Sequence, residues 1–282
     1  MERRFDIRSL LARHGLRPKR SWSQNFLVDA AVLERIADAC DIAGRPVVEL
    51  GAGAGALTAV LAASASRVIA VERDREFARL LRAEFALSPT VEVLEANAAR
   101  LDWEELAHQL GGPCVAVGNL PYHMATPILF SLLEAPGAVL RAVLMLQREM
   151  AERLCAEPGT RECGAASVML QMRADVEAVL DVPPGAFYPA PRVYSRVIRI
   201  RPLPGLRHAV RDFGYFGRLV RSAFSGRRKT LSNSLRAFLG KSSRDASDEI
   251  IRRAGIDPGL RAEALSLEDW ARLSDITQGE SQ

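Results

Sequence analysis

Asn119, Leu120, Pro121 and Tyr122 follow directly on an apolar run, "CVAVG", and together could grip a flat molecule carrying an amine. The Asn119 amide oxygen can accept from an exocyclic N–H. Pro121 fixes its own φ and restricts Leu120, so it sets where the nearby carbonyls point. Tyr122 offers a face on which a base can stack, worth about 1–3 kcal/mol. Such an arrangement suits attack by an amine. Acceptors that take both N–H bonds of an aromatic amine favour the pyramidal nitrogen and stabilise the positive charge that develops there. With an already activated methyl donor, positioning supplies most of the rate. No nucleophilic Ser, Cys or His pair is needed, and none stands out.

A second constellation lies upstream. "ELGAGAG" places Gly51, Gly53 and Gly55 immediately after an apolar strand pattern, where a tight turn lets backbone N–H groups approach a ligand at the start of a helix. Glu72 ends the next strand pattern, 21 residues after Gly51, where a carboxylate can accept both hydroxyls of a ribose. Asn97 ends a third and is placed for an adenine edge, although an Asn there also suits a turn. These features read equally well as a nicotinamide site or an S-adenosylmethionine site, since Gly51, Gly53 and Ala56 fit GxGxxG/A. A dehydrogenase would need a proton donor near the hydride. His123 is the only histidine close to the expected pocket, and it abuts Tyr122.

The elements needed to hold these residues are legible as strands near 46–50, 67–72, 91–95, 114–119 and 139–147, alternating with helical patterns. Alternation of this kind predicts an α/β fold with a mostly parallel sheet covered on both faces. Two further strands bracket "PPGAFYPAP" without a helix between them, so an antiparallel strand is expected at one end of the sheet. Helix 29–40 has Asp29 as its cap and Val32, Leu33, Ile36, Ala37 and Cys40 on one face. After "RPLPG" only helices follow, at about 211–224, 228–239, 245–254 and 267–275. The expected domains are therefore 1–203, with a basic amino-terminal segment, and an all-helical 204–282.

Composition narrows the setting. Of the 282 residues, 48% are hydrophobic, enough for a sizeable core, yet no 18-residue apolar run suggests a membrane span. "MERRFDIRSL" lacks the apolar core of a signal peptide. Cys40, Cys114, Cys155 and Cys163 are widely spaced, which argues against a zinc site or a disulfide framework and for a reducing, cytoplasmic compartment. Net charge is +4, but residues 1–25 carry +5 and residues 192–253 carry +12, so two basic segments stand on an acidic body. That distribution points to a polyanion. Arg17, Lys19 and Arg20 in the first segment, and Arg227, Arg228 and Lys229 at the expected start of a helix in the second, are the candidate phosphate contacts. No long heptad pattern suggests a coiled-coil dimer, and a monomer is expected.

Taken together, "NLPY" with its downstream Thr-Pro resembles the amine-methylating signature of rRNA adenine dimethyltransferases. The likeness runs from about residue 17 to 275, in ordered blocks. "PKRSWSQNFLVD" and "VVELGAGAGALT" are followed by "LQREMAERL", "PPGAFYPAPRVYSRVIRIRP", "AFSGRRKTLSNSL" and "GIDPGLRAEALSLEDWARL". The resemblance implies a Rossmann-like class I methyltransferase sheet and S-adenosylmethionine as cofactor, and no metal is expected from the cysteine spacing. It implies transfer of methyl groups, two to each base, to the N6 amines of two adjacent adenines in the hairpin loop near the 3′ end of small-subunit rRNA, within the immature subunit. Cofactor contacts would fall on Asn25, Leu27, Gly51, Glu72, Asn97 and Asn119, with Gly53 in the same turn. Target-base contacts would fall on Asn119, Leu120, Pro121, Tyr122 and Phe187, Phe187 closing over the base opposite Tyr122. The family usually has Asp at Asn97, Gly at Ser23, Pro at Ala52 and Tyr at Cys163. "RRKTLSNSL" and "FYPAPRVYS" favour the small-subunit type over the resistance-type enzyme that modifies large-subunit rRNA. A third possibility is an assembly or transcription factor that retains the fold.

Overall fold

The computed structural model describes residues 6–19, 24–120, 124–226, 228–240 and 244–279. In chain order the elements begin with α1 (Ile7–Arg13), β1 (Phe26–Leu27), α2 (Ala30–Cys40), β2 (Pro46–Leu50), α3 (Ala56–Leu61), β3 (Arg67–Glu72) and α4 (Arg75–Glu84). Next come β4 (Val91–Glu95), α5 (Trp103–Gln109), β5 (Cys114–Asn119), α6 (Ala125–Glu134), β6 (Val139–Gln147) and α7 (Arg148–Cys155). The rest are α8 (Ala165–Gln171), β7 (Ala174–Val182), β8 (Phe187–Tyr188), β9 (Ser195–Pro202), α9 (Phe213–Phe224), α10 (Leu231–Leu235), α11 (Arg244–Arg253) and α12 (Leu267–Gly279).

Chain contacts divide these elements into two compact units, residues 1–151 with 175–204 and residues 152–174 with 205–282. The first is built on a seven-stranded sheet of order β4-β3-β2-β5-β6-β9-β7. Strands β4 to β6 run parallel, and β9 runs antiparallel to β6, so the sheet is the mixed one the apolar pattern predicts. Val47, Val48, Val115 and Val117 are fully buried because central parallel strands are covered on both faces. The chain winds outward from β2 to β4 and then returns to the other side of β2 as β5. That reversal leaves a crevice at the carboxyl ends of β2 and β5, where ligands bind in such sheets.

Helix α2 begins at Asp29, whose carboxylate accepts from the Val32 N–H at 3.2 Å, and it buries Leu33, Ile36 and Cys40. Val32 and Ala37, expected on the same face, are only half-buried at the margin of that core. Three features have no counterpart in the sequence patterns, one of them α5 between β4 and β5. Helix α1, capped by Asp6, buries Ile7, Leu10 and Leu11. Strands β1 and β8 pair antiparallel, with Phe26 opposite Tyr188 and Leu27 opposite Phe187. Two residues are too few to show a period of two.

The second unit is helical. Phe216, Leu219, Val220, Leu231, Leu235, Ile251 and Trp270 form its core. Residues 152–174 belong with it by contact, whereas the sequence reading put them in a first domain ending at 203. The reason is Val168 and Met172, which are buried among those same side chains. An apolar helix face looks the same in sequence whether it covers a sheet or other helices. Helix α10 is shorter than the expected 228–239, because Arg228 and Lys229 lie in the turn before it and Thr230 is its cap.

Candidate active site

Gly51 opens the turn that follows β2, and its N–H and that of Ala52 both donate to the Val71 carbonyl, at 2.9 and 3.0 Å. Its φ of 74° is one that only glycine adopts easily, and an added Cβ would meet nothing nearer than the Asn119 carbonyl at 3.8 Å. The backbone there is bare toward the crevice, but the N–H groups of Gly51, Ala52, Gly53 and Gly55 all have acceptors within the protein, so, against the expectation of donors aimed at a ligand, the turn offers close approach rather than those N–H groups. Gly53, with φ 57°, is closed in differently, since a Cβ would sit 3.1 Å from the Phe26 ring. The loop is thereby held between β3 and the β1 segment.

Glu72, at the end of β3, is buried and takes the Gly53 N–H on one carboxylate oxygen at 2.8 Å and the Asp74 N–H on the other at 2.7 Å. Burial pushes its carboxyl up, against the backbone donors that favour the charged form. With the Arg73 N–H also directed at it, the carboxylate keeps acceptor capacity toward the cavity for a ribose hydroxyl. Asn97 ends the β4 segment and caps the short turn that follows it. Its side-chain oxygen accepts from the Ala99 N–H at 3.1 Å, so the turn uses the oxygen and leaves the NH₂ for a ring nitrogen.

Asn119, the last residue of β5, donates its side-chain NH₂ to the Asn25 carbonyl at 3.0 Å, which leaves Oδ1 as an acceptor. Leu120 is fixed from two sides: its N–H donates to the Met145 carbonyl at 3.1 Å, and its side chain is 2% exposed. The next carbonyl is therefore held by an anchored residue. Asn25 leads into β1, and β1 is paired with β8, so the "QNFL", "GNL" and "FYPAP" segments meet at one place. They line a cavity of about 300 Å³. Asn25, Leu27, Gly51, Gly53, Glu72, Asn97, Asn119, Leu120 and Phe187 all face it. Pro121 and Tyr122 lie outside the described residues, as do Arg20 and Arg227.

Several lining residues escaped the sequence reading. Ile7 comes from α1, Met145 from the end of β6, and Met124 and Ile128 from α6 and its cap. Only Met145 carried a usable signal, as the last apolar residues of a strand that neighbours β5. Glu49 is the most consequential omission. It is fully enclosed on β2, lines the cavity, and accepts from the Thr58 hydroxyl at 2.5 Å. Burial pushes its carboxyl from the ordinary 4.5 to about 8, the Thr58 hydrogen bond opposing the shift and Glu72 adding to it. Between those two values the folded chain keeps a proton that the unfolded chain has lost. Stability therefore falls as pH rises through that window and levels off above it. In Glu49→Gln, the side-chain oxygen can still accept from Thr58 and no charge is buried. Thermal unfolding followed against pH is expected to show a flatter profile and, at the alkaline end, a Tm higher by roughly 5 °C. A variant with the wild-type slope would contradict this.

The basic residues divide into two kinds. Lys19, expected to meet phosphate, places its ammonium between Asp74 at 2.7 Å and Glu76 at 2.6 Å, which raises its pKa. Gln24 joins it by accepting from the Lys19 N–H at 2.8 Å and donating to Asp74 at 3.3 Å. Lys19 therefore ties the entry segment to the start of α4, next to Glu72. Part of the second basic stretch is likewise engaged, as Arg196 pairs with Asp181 while Arg199 and Arg201 share Glu177. Arg17, Arg228 and Lys229 are exposed. Cys40 and Cys114 are buried, with thiols pushed up to about 12 by desolvation, and pack as small apolar residues. Among the described residues, no three His, Cys, Asp or Glu side chains gather as a metal site. Nor, among them, is any helix long and apolar enough to cross a membrane.

An adenosine-bearing methyl donor fits this cavity. A buried carboxylate, a bare glycine backbone and an amide on successive strand ends match a ribose, a chain of polar atoms and an adenine edge. Residues 15–279 match the model of a family described as Ribosomal RNA adenine dimethylase. The chain is 50% identical over 276 residues to a protein of Anaeromyxobacter dehalogenans named Ribosomal RNA small subunit methyltransferase A, covering 94% of this chain and 95% of that one. The protein of the same name from Myxococcus xanthus is 46% identical over 268 residues, covering 94% and 93%. Among solved structures, the 23S rRNA methyltransferase ErmE superposes with a TM-score of 0.69 at 27% identity, over 90% of this chain and 100% of that one. A dimethyladenosine transferase from Plasmodium falciparum shares the fold, with a TM-score of 0.73 at 23% identity over 88% and 95%.

Proposed function

The chain belongs to the ribosomal RNA adenine dimethylase family, and from that premise we propose that it places two methyl groups on the N6 amine of each of two adjacent adenines in the hairpin loop near the 3′ end of small-subunit rRNA. S-adenosylmethionine supplies the methyl group, already activated on its sulfonium. The observation that carries the reading is Asn119, whose NH₂ is tethered to the Asn25 carbonyl so that Oδ1 is left to accept from an amine beside Gly51.

From there the roles follow. Asn119 Oδ1 and the carbonyl of the anchored Leu120 take the two N–H bonds of the adenine amine, favour its pyramidal form and face the positive charge that grows during attack. The proton is then lost to solvent. Phe187, at the cavity wall, and Tyr122 hold the flipped base by its faces. Glu72 receives the ribose hydroxyls, and Asn97 the adenine edge of the cofactor. No general base is assigned, because the attacking nitrogen needs no prior deprotonation.

Arg17, Arg20, Arg227, Arg228 and Lys229 contact phosphates of the folded subunit, and the pocket selects the base. Replacing Arg228 and Lys229 together by Ala is expected to weaken binding to small subunits and to lower the slope of log affinity against log salt by about 1.5, from two lost phosphate contacts. An unchanged slope would remove those contacts. The substrate is the immature small subunit, the compartment the cytoplasm and the acting form the monomer. Offering isolated small and large subunits with labelled cofactor tests the substrate. Label on the small subunit alone is expected, and label on the large subunit would favour the resistance-type reading.

A further inference from the structure

β8 has two sides. Phe187 faces the active-site cavity, while the next residue, Tyr188, faces a separate groove of about 740 Å³ between β8 and α1 with the turn that follows α1. Arg8 and Arg17 line this groove together with Leu11, Leu16 and Pro189. The Arg8 guanidinium lies over the Tyr188 ring, 4.6 Å from its centre. Both arginines are exposed. The basic residues between them are used elsewhere, since Arg13 and His14 both pair with Glu84 of α4. Positive charge on this segment is thus sorted, one part fastening the helix and another lining the groove.

The lining describes its ligand. A guanidinium over an aromatic ring keeps N–H donors for a phosphate and offers an outer face to a base. Leucine and proline walls exclude water from one side of that plane. A groove that combines two cations, a ring face and apolar walls suits a nucleotide of a single strand.

We propose that this groove holds the nucleotide adjoining the target adenine, its phosphates on Arg8 and Arg17 and its base against the Arg8–Tyr188 stack. The identity of the occupant rests on the rRNA-methylating reading. One strand crossing β8 presents one base at Phe187 and its neighbour at Tyr188, which suits a substrate with two adjacent targets.

The test measures binding of a short oligoadenylate by the full chain, so methyl transfer is not needed to read it. Arg8→Ala with Arg17→Ala is expected to raise the Kd about tenfold and to reduce the salt slope by about 1.4, from two lost single-strand phosphate contacts. Affinity for S-adenosylmethionine is expected to stay as in the wild type. Arg8→Lys with Arg17→Lys is expected to restore the slope but only part of the affinity, because an ammonium does not stack as a plane. Ultraviolet crosslinking of the wild type to oligoadenylate is expected to label Tyr188 itself, resolved by fragmentation from its neighbour Phe187. An unchanged Kd and slope in the alanine pair overturns the proposal. So does an equal loss of cofactor affinity, which would make α1 only a cover acting through Ile7. If the groove binds as described but small subunits go unmethylated, the functional reading fails and the groove stands. If subunits are methylated and the alanine pair binds oligoadenylate as the wild type does, the groove alone fails.

Discussion

Asn119→Ala is expected to lower kcat for methyl transfer by about 10²–10³-fold, the range seen when one preorganised electrostatic partner of a developing charge is removed. The substitution takes away Oδ1, the acceptor left over once the side-chain NH₂ is bound to the Asn25 carbonyl at 3.0 Å. It also leaves that carbonyl without its donor, so about 1 kcal/mol of stability is lost with it. Binding of small subunits rests on the exposed basic residues and is expected to change by less than about twofold. Single-turnover rates with saturating cofactor, set beside filter binding, separate the two effects. Asn119→Asp sharpens the point. It keeps an acceptor oxygen but sets a carboxylate against the Asn25 carbonyl, so it should retain more activity than the alanine variant only at the cost of a displaced entry segment. Near-normal rates in Asn119→Ala would contradict the role given to this residue.

Glu72→Gln is the second large effect. The two carboxylate oxygens accept from the Gly53 and Asp74 N–H groups, at 2.8 and 2.7 Å. An amide offers only one acceptor, so its NH₂ must face one of those N–H groups. A ribose hydroxyl also loses its charged acceptor, a loss of about 1.5–3 kcal/mol, which corresponds to a cofactor Kd about 10–100 times higher. Burial already disfavours the Glu72 charge, so relief of that burden offsets part of the cost of an NH₂ set against a backbone N–H. A cofactor affinity that falls by more than the melting temperature accounts for is the expected pairing in calorimetry. A Kd within about twofold of the wild type would count against Glu72 as the ribose acceptor.

The sheet was legible because its central strands are buried on both faces and read as continuous apolar runs, as in "PVVEL" and "RVIAVE". The ends of those strands pointed to Gly51, Glu72, Asn97 and Asn119, and all four line the cavity, since a parallel sheet delivers its carboxyl ends to one edge. What joins them was not legible. The β1–β8 pairing is two residues long and spans 160 positions of sequence, with Phe26 opposite Tyr188 and Leu27 opposite Phe187. Helix α1 is only about two turns long, and its apolar residues give no sustained period. Glu49 was passed over because an acid inside an apolar strand looks like an interruption, and only its enclosure by Thr58 and the cavity gives it meaning. Charge was the least reliable guide. Lys19 sits in a basic run yet is held by Asp74 and Glu76, which are near it only in the fold.

Site mapping in small subunits tests the central claim most directly. Subunits from cells lacking this gene, incubated with the purified chain and S-adenosylmethionine, would be digested and their nucleosides located by mass spectrometry. Two adjacent N6,N6-dimethyladenines in the 3′-terminal hairpin are the predicted result. Unmodified adenines there, or methyl groups on another atom or another rRNA, would contradict it.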